Sequence, residues 1–177
     1  FMRDIALFDY TFFSLPPAEA SIMDPHQRAA LEGGYAALHE AGLGRINLMG
    51  SSAGVFAGIW ASDYNPTQEA RRSAYTVTAL GCAMLVGRLS YVLGLQGPSV
   101  ALDTACSSTL AACQVAFSSL HTQECNSALV LGVNIMCDSA VSAMFGIAGM
   151  TSPTGKSYTF DARANGYARG EACCSAA

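Results

Sequence analysis

Apolar and polar positions alternate along this chain in two distinct rhythms, and each predicts a different element. From Ser14 to Gly44 the pattern is helical. Asp24 can cap and Pro25 suits a first helical position. Leu31, Tyr35 and Leu38 follow at i, i+4 and i+7, and Gly42 suits the stop. Gly33 and Gly34 weaken this helix by about 1 kcal/mol each relative to alanine. The run AGVFAGIW (53–60) is short, apolar and β-branched, and predicts a buried strand. DYNPT (63–67) reads as a turn, residues 74 to 90 as a helix rich in small residues, and GLQGPS (94–99) as a second turn. A strand is then predicted over 98–105, a helix over 106–122 and a strand over 127–135, the last apolar throughout, as in sheets covered on both faces. Strand, helix, strand is a parallel crossover, so the fold class is α/β. The remaining tail, TSPTGKSYTFDARANGYARGEACC, reads as loop.

Composition changes this picture in three ways. The chain has 177 residues, of which 51% are hydrophobic and 12% charged. That length suits one domain or a piece of one, and the charged share is about half the usual ~25%. Some apolar surface is therefore expected to be covered by a partner or by further chain. The net charge of −4 comes without a Lys/Arg cluster, which argues against nucleic acid as a partner. No membrane span is expected: the run 127–137 meets Asp138 too soon, since a spanning helix needs about 20 residues. The N-terminus carries Asp4 and Asp9 where a signal peptide would be apolar. The expected compartment is cytoplasmic, with an organelle left open because the chain has no initiator methionine.

Cysteine supplies the candidate chemistry. There are seven, at 82, 106, 113, 125, 137, 173 and 174, with no CxxC spacing. Cys173 and Cys174 are adjacent, so in regular structure their side chains point apart and make poor joint ligands. Neither a metal site nor a disulfide framework is expected, and a reducing compartment fits. Cys82, Cys113 and Cys137 are expected in the core.

Cys106 stands apart. It falls in LDTACSSTL, just past a predicted strand and at the start of a predicted helix. Open α/β sheets place ligands at such strand ends. A helix N-terminus has unpaired N–H groups and a partial positive charge, which favour a thiolate and can hydrogen-bond an oxyanion. Ala105, Ser107 and Ser108 leave room for an approaching substrate, and Leu110, Val115 and Leu120 are expected to anchor the helix behind the cysteine. Position and composition alone leave two readings open: a nucleophile for covalent catalysis, or a buried space-filling thiol.

The motifs narrow that choice. DTACSSTL closely resembles the active-site motif of β-ketoacyl synthase domains, written DTACSSSL in type I polyketide synthases and animal-type fatty acid synthases. MDPHQRAALEGGYAALHEAG, GVFAGIWASDY, GRLSYVLGLQGPSVALDTACSSTL, ECNSALVLGVNIM and GMTSPTGKSYTFDARANGYARGE are similar to further motifs of that family, in the same order. The resemblance implies a thiolase-like fold, a layered α-β-α-β-α arrangement of two similar halves. Residues 1–177 would be part of the N-terminal half, without its first strand and without the C-terminal half.

The same resemblance implies an acyltransferase. Cys106 would hold an acyl chain as a thioester, and its backbone N–H would be one oxyanion donor. A malonyl-type unit on a carrier protein would lose carbon dioxide and condense with that chain, giving a β-ketoacyl thioester. No cofactor would be bound by this domain, since substrates arrive on the phosphopantetheine of an acyl carrier protein. The domain would be a homodimer paired through Ser99, Val100, Ala101, Leu102 and Asp103. Met144 and Phe145 would line the acyl pocket or pack in the core. Phe160, Asp161 and Arg169 would shape the site.

Two further histidines and a lysine that polarise the malonyl group in the family have no counterpart motif here. His26, His39 and His121 are the chain's histidines, and all three are expected to be structural or solvated. This fragment by itself is therefore expected to be inactive, and the closing CCSAA departs from the apolar strand the family continues with. The competing readings are a thiolase or an initiating synthase, a non-catalytic thiolase-fold interaction protein, and a cysteine hydrolase. The last would need a histidine placed beside Cys106.

Overall fold

The computed structural model describes residues 2, 5–68 and 70–177. Its centre is a four-stranded sheet in the order β2-β1-β3-β4, built from β1 (Gly54–Gly58), β2 (Ser99–Leu102), β3 (Ala128–Asn134) and β4 (Ala172–Ala176). β1 is parallel to β2 and to β3, with Phe56 level with Val100 on one side and Val130 on the other. β4 runs antiparallel to β3 and sets Cys173 opposite Val133. All five residues of β1 are buried, as a short apolar run in the middle of a sheet should be.

Side chains of successive residues leave opposite faces, and the two faces differ. Val55, Ala57, Leu129, Leu131 and Val133 point into the larger core, shared with α2 (Pro25–Glu40) and α5 (Met84–Leu93). Phe56, Val100, Leu102 and Val130 point the other way, onto Ala112 and Ala116 of α6 (Ser108–His121) and onto Cys125. The three layers are α2 with α5, the sheet, and α6. The remaining helices are α1 (Pro17–Ile22), α3 (Arg45–Leu48), α4 (Thr76–Leu80) and α7 (Ser139–Ile147).

The stretch 14–44, expected to be helical with a cap at Asp24 and a first helical position at Pro25, holds α1 and then α2, which starts at Pro25 as expected. Proline disfavours helical backbone in the residue before it. Asp24 is extended, and its side chain accepts the His26 amide to cap α2. The helix expected over 74–90 also breaks, at Gly81, into α4 and α5. The tail expected as loop ends in a strand, β4, which most of CCSAA forms despite its departure from an apolar strand sequence. Cys173 faces α2, donating to the Ala29 carbonyl at 3.4 Å, while Cys174 faces out. The two thiols point apart, as alternation requires.

Glycines set how closely the layers approach. A Cβ on Gly34 would sit 3.0 Å from side-chain carbons of both Leu89 and Leu129, so this residue lets α2 lie against α5 and β3. On the other face a Cβ on Gly58 would run into the Thr109 backbone nitrogen, and one on Gly132 would run into the Thr109 hydroxyl. The first turn of α6 therefore rests on bare backbone of β1 and β3. The positions that bury α6 are small: Ser108, Ala112, Ala116 and Ser119. Leu110 and Leu120, expected as anchors, are exposed, because the helix sits too near the sheet to seat leucines beneath it.

A buried polar network joins α1, α2, α4 and α5. Arg88 donates to Gln27 Oε1 at 2.7 Å, to Glu19 Oε1 at 2.6 Å and to the Thr78 carbonyl at 3.0 Å. The Gln27 amide nitrogen donates to the carbonyls of Thr78, Ala79 and Gly81. Every charge in it has a partner, which a buried guanidinium requires.

Candidate active site

The turn from β2 into α6 carries Cys106. Ala105 has a φ of 57°, a left-handed conformation that an alanine adopts only when its surroundings enforce it. The enforcing bonds come from the residues around it. Asp103 Oδ1 accepts the Ala105 amide at 3.0 Å. Ser107 Oγ donates to the Thr104 carbonyl at 2.8 Å. Ser108 Oγ accepts the Thr104 amide at 2.8 Å and donates to the Ala105 carbonyl at 2.6 Å. The polar letters of DTACSS are thus the ties of a sharp strand-to-helix turn. Its product is an exposed thiol two residues before the first helical position of α6. A strained turn of this kind presents a nucleophile clear of its own backbone. Within these residues Cys106 is exposed, where a space-filling thiol would be buried.

The other expected residues fall into two groups. Phe145 lies half-buried between the Trp60 ring, 5.9 Å away centre to centre, and the Arg169 guanidinium, 5.1 Å from its own centre. Arg169 also donates to Ser142 Oγ at 2.6 Å. Arg169, from the segment before β4, is therefore brought onto Phe145 of α7. Met144, on the same helix, is 60% exposed. Phe160 is fully exposed with a φ of 62°, and Asp161 pairs with Arg163 at 2.7 Å, a bond that holds its carboxyl below the usual range. Of the five dimer-strand residues, Ser99 to Leu102 form β2, while Asp103 lies past the strand end and ties the cysteine turn.

Two cysteine assignments are corrected. Cys113 is exposed, because it lies on the outer side of a helix whose inner side is held to small residues. Cys137 is exposed too. Partial burial of its sulfur and the negative charges of Asp63, Asp24 and Glu171 push its thiol up to about 12. Cys82 is partly buried against the larger core, and Cys125 is the fully buried thiol.

All three histidines are accounted for structurally. His26 is 4% exposed. Its Nδ1 lies 2.8 Å from Asp24 Oδ1, and its Nε2 accepts the Ile135 amide at 3.0 Å. That bond fixes the proton on Nδ1, so the ring donates to Asp24. Burial alone would raise the Asp24 carboxyl, but hydrogen bonds from His26 and Ser62 outweigh it and hold the group below its ordinary value. His39 lies beside Tyr35 and His121 beside Phe117, both at the surface. Among the described residues, no group of three His, Cys, Asp or Glu side chains could hold a metal ion. No helix of the described residues is long and apolar enough to cross a membrane.

Sequence reasoning missed Trp60, Asp63 and Glu171. They converge beyond the end of β3 from two separate segments, the loop after β1 and the stretch before β4, and no spacing pattern in the chain signals that meeting.

Comparison with known proteins places this geometry. The model of the β-ketoacyl synthase N-terminal domain matches residues 1–176. A phenolphthiocerol/phthiocerol polyketide synthase polypeptide of Mycobacterium tuberculosis is 44% identical over 174 residues, 97% of this chain and 9% of that protein. The highly reducing polyketide synthase easB of Emericella nidulans is 46% identical over 172 residues, 96% of this chain and 7% of that protein. The ketosynthase from module 6 of the bacillaene synthase of Bacillus subtilis 168 superposes with a TM-score of 0.87 at 36% identity. That match covers 99% of this chain and 30% of the solved one. An oxazolomycin ketosynthase domain from Streptomyces albus gives a TM-score of 0.89 at 31% identity, covering 98% and 31%. The chain thus spans less than a tenth of these curated relatives and under a third of these solved chains.

Proposed function

The chain belongs to the β-ketoacyl synthase family, and on that premise we propose that it carries the acyl-accepting half of a polyketide-type condensing site. The observation that supports this most is the exposed Cys106 thiol on a strained, four-residue-tied turn at the start of α6. In the proposed reaction Cys106 Sγ attacks the thioester carbonyl of an acyl chain borne on a carrier protein's phosphopantetheine. A carbon–sulfur bond forms to Cys106, the bond to the pantetheine sulfur breaks, and the pantetheine leaves as a thiol. The Cys106 backbone N–H, at the helix start, is the proposed donor to the transient oxyanion.

The second half of the reaction is decarboxylation of a malonyl-type thioester. The enolate carbon attacks the acyl carbonyl, a carbon–carbon bond forms, and Cys106 is released as a thiol. The decarboxylating groups are proposed to be residues other than His26, His39 and His121, since His26 is committed to Asp24 and Ile135 and the other two lie beside aromatic rings at the surface. No bound cofactor is invoked. Residues 1–177 are proposed as part of the N-terminal half of the synthase domain. Met144 and Phe145 are proposed to border the acyl chain, with Phe160, Asp161 and Arg169 shaping the site.

A homodimer is proposed through β2. That strand is at the edge of the sheet, with no strand paired on its outer side among the described residues. An open strand edge is a template for pairing, and a second copy of Ser99 to Leu102 would close it.

The decisive experiment is acyl transfer to the intact polypeptide that carries this chain. Incubation with an acyl-pantetheine thioester is expected to add one acyl mass, located by peptide mass spectrometry on Cys106 and absent in Cys106→Ala. Acyl mass spread over Cys113 and Cys174, or none on Cys106, would refute the assignment.

A further inference from the structure

The helix α7 presents Met144 and Phe145, yet none of its residues is buried. Apart from the Trp60–Phe145 contact it has little apolar packing to hold it in place, so polar ties must do most of that. Its root, Ile135 to Asp138, directly follows β3. The four consecutive backbone amides of that root each donate to a side chain from elsewhere in the molecule. Ile135 N–H donates to His26 Nε2 at 3.0 Å and Met136 N–H to Glu171 Oε1 at 3.0 Å. Cys137 N–H donates to Asp63 Oδ1 at 3.0 Å and Asp138 N–H to Asp63 Oδ2 at 3.2 Å. Asp138 then caps α7 by accepting the Ala140 amide at 2.8 Å. Hydrogen bonds from amides to carboxylates are among the stronger ones. Using both oxygens of one carboxylate on successive amides fixes direction as well as position.

From these contacts we propose that Asp63, Glu171 and His26 are positioning residues that set where α7 holds Met144 and Phe145, and so which acyl chains the site accepts. The proposal rests on the acyl-pocket reading of α7 given above. Three features support it. The acceptors come from the loop after β1, the start of α2 and the segment before β4, so the clamp ties α7 to both the sheet and the larger core. Each acceptor is itself fixed or doubly used. His26 is held by Asp24, and Glu171 Oε2 accepts a second amide, that of Met2, at 2.9 Å. Finally, the remaining contacts of α7 come from the same neighbourhood: Trp60 and Arg169 sandwich Phe145, and Arg169 holds Ser142. Trp60 precedes Asp63 by three residues and Arg169 precedes Glu171 by two, so a shift of either acceptor moves a wall of the Phe145 slot with it.

Asp63→Asn tests this in the intact polypeptide. The substitution keeps the shape but turns one acceptor oxygen into an N–H donor facing an amide. Hydrogen exchange read by mass spectrometry should quicken by about tenfold at Cys137 and Asp138, the effect of losing one charge-assisted hydrogen bond. It should also quicken across Ser142 to Ile147, while β3 stays protected. Over a series of acyl-pantetheine thioesters of rising length, kcat/KM should flatten through KM. Alkylation of Cys106 by iodoacetamide should keep its parent rate, since the cysteine turn is tied by other residues. Glu171→Gln, which disturbs one amide of the root, that of Met136, together with the Met2 amide, should give a smaller change of the same pattern and serves if Asp63→Asn does not fold.

Faster exchange confined to Cys137 and Asp138, with α7 and the chain-length profile unchanged, would overturn the proposal. If no thioester acylates Cys106 in the parent protein, the functional reading fails instead. The exchange of α7 then decides the clamp by itself.

Discussion

The two faces of the sheet are built on different principles. One face meets α2 and α5 through large side chains, with Leu31, Leu38, Leu85, Leu89, Leu93, Leu129 and Leu131 all inaccessible or nearly so. The other meets α6 through Ala112, Ala116 and Ser108, over the bare backbone of Gly58 and Gly132. Phe56 of β1 is the large buried side chain here, while the large residues of α6, Leu110 and Phe117, stand 74% and 64% exposed. The first face concentrates burial, and therefore stability. The second gives up burial for a short helix-to-sheet distance, which is what lets the Cys106 turn close with Thr104 and Ser108 in hydrogen-bond reach. Stability and chemistry are segregated to opposite sides of one sheet.

The most severe way to break this arrangement is to thicken the sheet under Cys106. Gly58→Val would drive its Cβ into the Thr109 backbone nitrogen. Backbone on both sides cannot yield as a side chain would. The expected cost exceeds about 4 kcal/mol, among the largest single-residue effects. Chemical denaturation should show it directly, and any folded remnant should fail to acylate Cys106. A variant with normal stability and normal acylation would mean that α6 does not need its close seat.

A milder comparison asks where the burial energy resides. Leu89→Ala, at a fully inaccessible position, should cost about 3 kcal/mol through lost contact and a residual cavity. Leu110→Ala and Phe117→Ala in the 177-residue chain should each stay within about 0.5 kcal/mol, as exposed positions do. The same two substitutions in the intact polypeptide then report on that face of α6. A cost rising toward that of Leu89→Ala would show that further structure covers it there. An unchanged cost would show the face to be open in both.

The two faces were unequally legible in the sequence. The α2 side announced itself through Asp24-Pro25 and the i, i+4, i+7 spacing of Leu31, Tyr35 and Leu38, because burying a helix against leucines imposes that spacing. The α6 side misled: Leu110 and Leu120 look like anchors by hydrophobicity, and only the glycines on β1 and β3, distant in sequence, say that they are not. Cys106 was legible through the strand-to-helix change and the small residues around it, but Ser107 and Ser108, expected only to leave room, proved to be ties of its turn. Cys113 was misread as core for the same reason as Leu110. The meeting of Asp63, His26 and Glu171 on the root of α7 was not legible, since it is a matter of tertiary proximity among residues tens of positions apart. β4 was missed because its alanines, cysteines and serine carry little strand propensity. Its pairing with β3 supplies what its composition lacks.

An effect smaller than that of Leu89→Ala concerns a place where the larger core reaches across to α7. Asp24 caps α2 and holds the His26 proton, and His26 in turn accepts the Ile135 amide. Asp24→Asn keeps a capping oxygen, because asparagine caps about as well as aspartate. It removes the negative charge that makes the bond to the His26 ring a charge-assisted one, and about 1 kcal/mol should be lost near neutral pH. The sign with pH follows from the direction of the Asp24 shift. Its carboxyl is held below the ordinary value of 3.8 in the folded chain. The stabilisation is therefore complete above that ordinary value and disappears as pH falls through the lower folded one. The gap between parent and Asp24→Asn, measured by urea denaturation, should be widest at neutral pH and close below about pH 4. A gap that persisted unchanged in acid would mean that the charge of Asp24 contributes nothing, and that the tie from α2 to the root of α7 depends on shape alone.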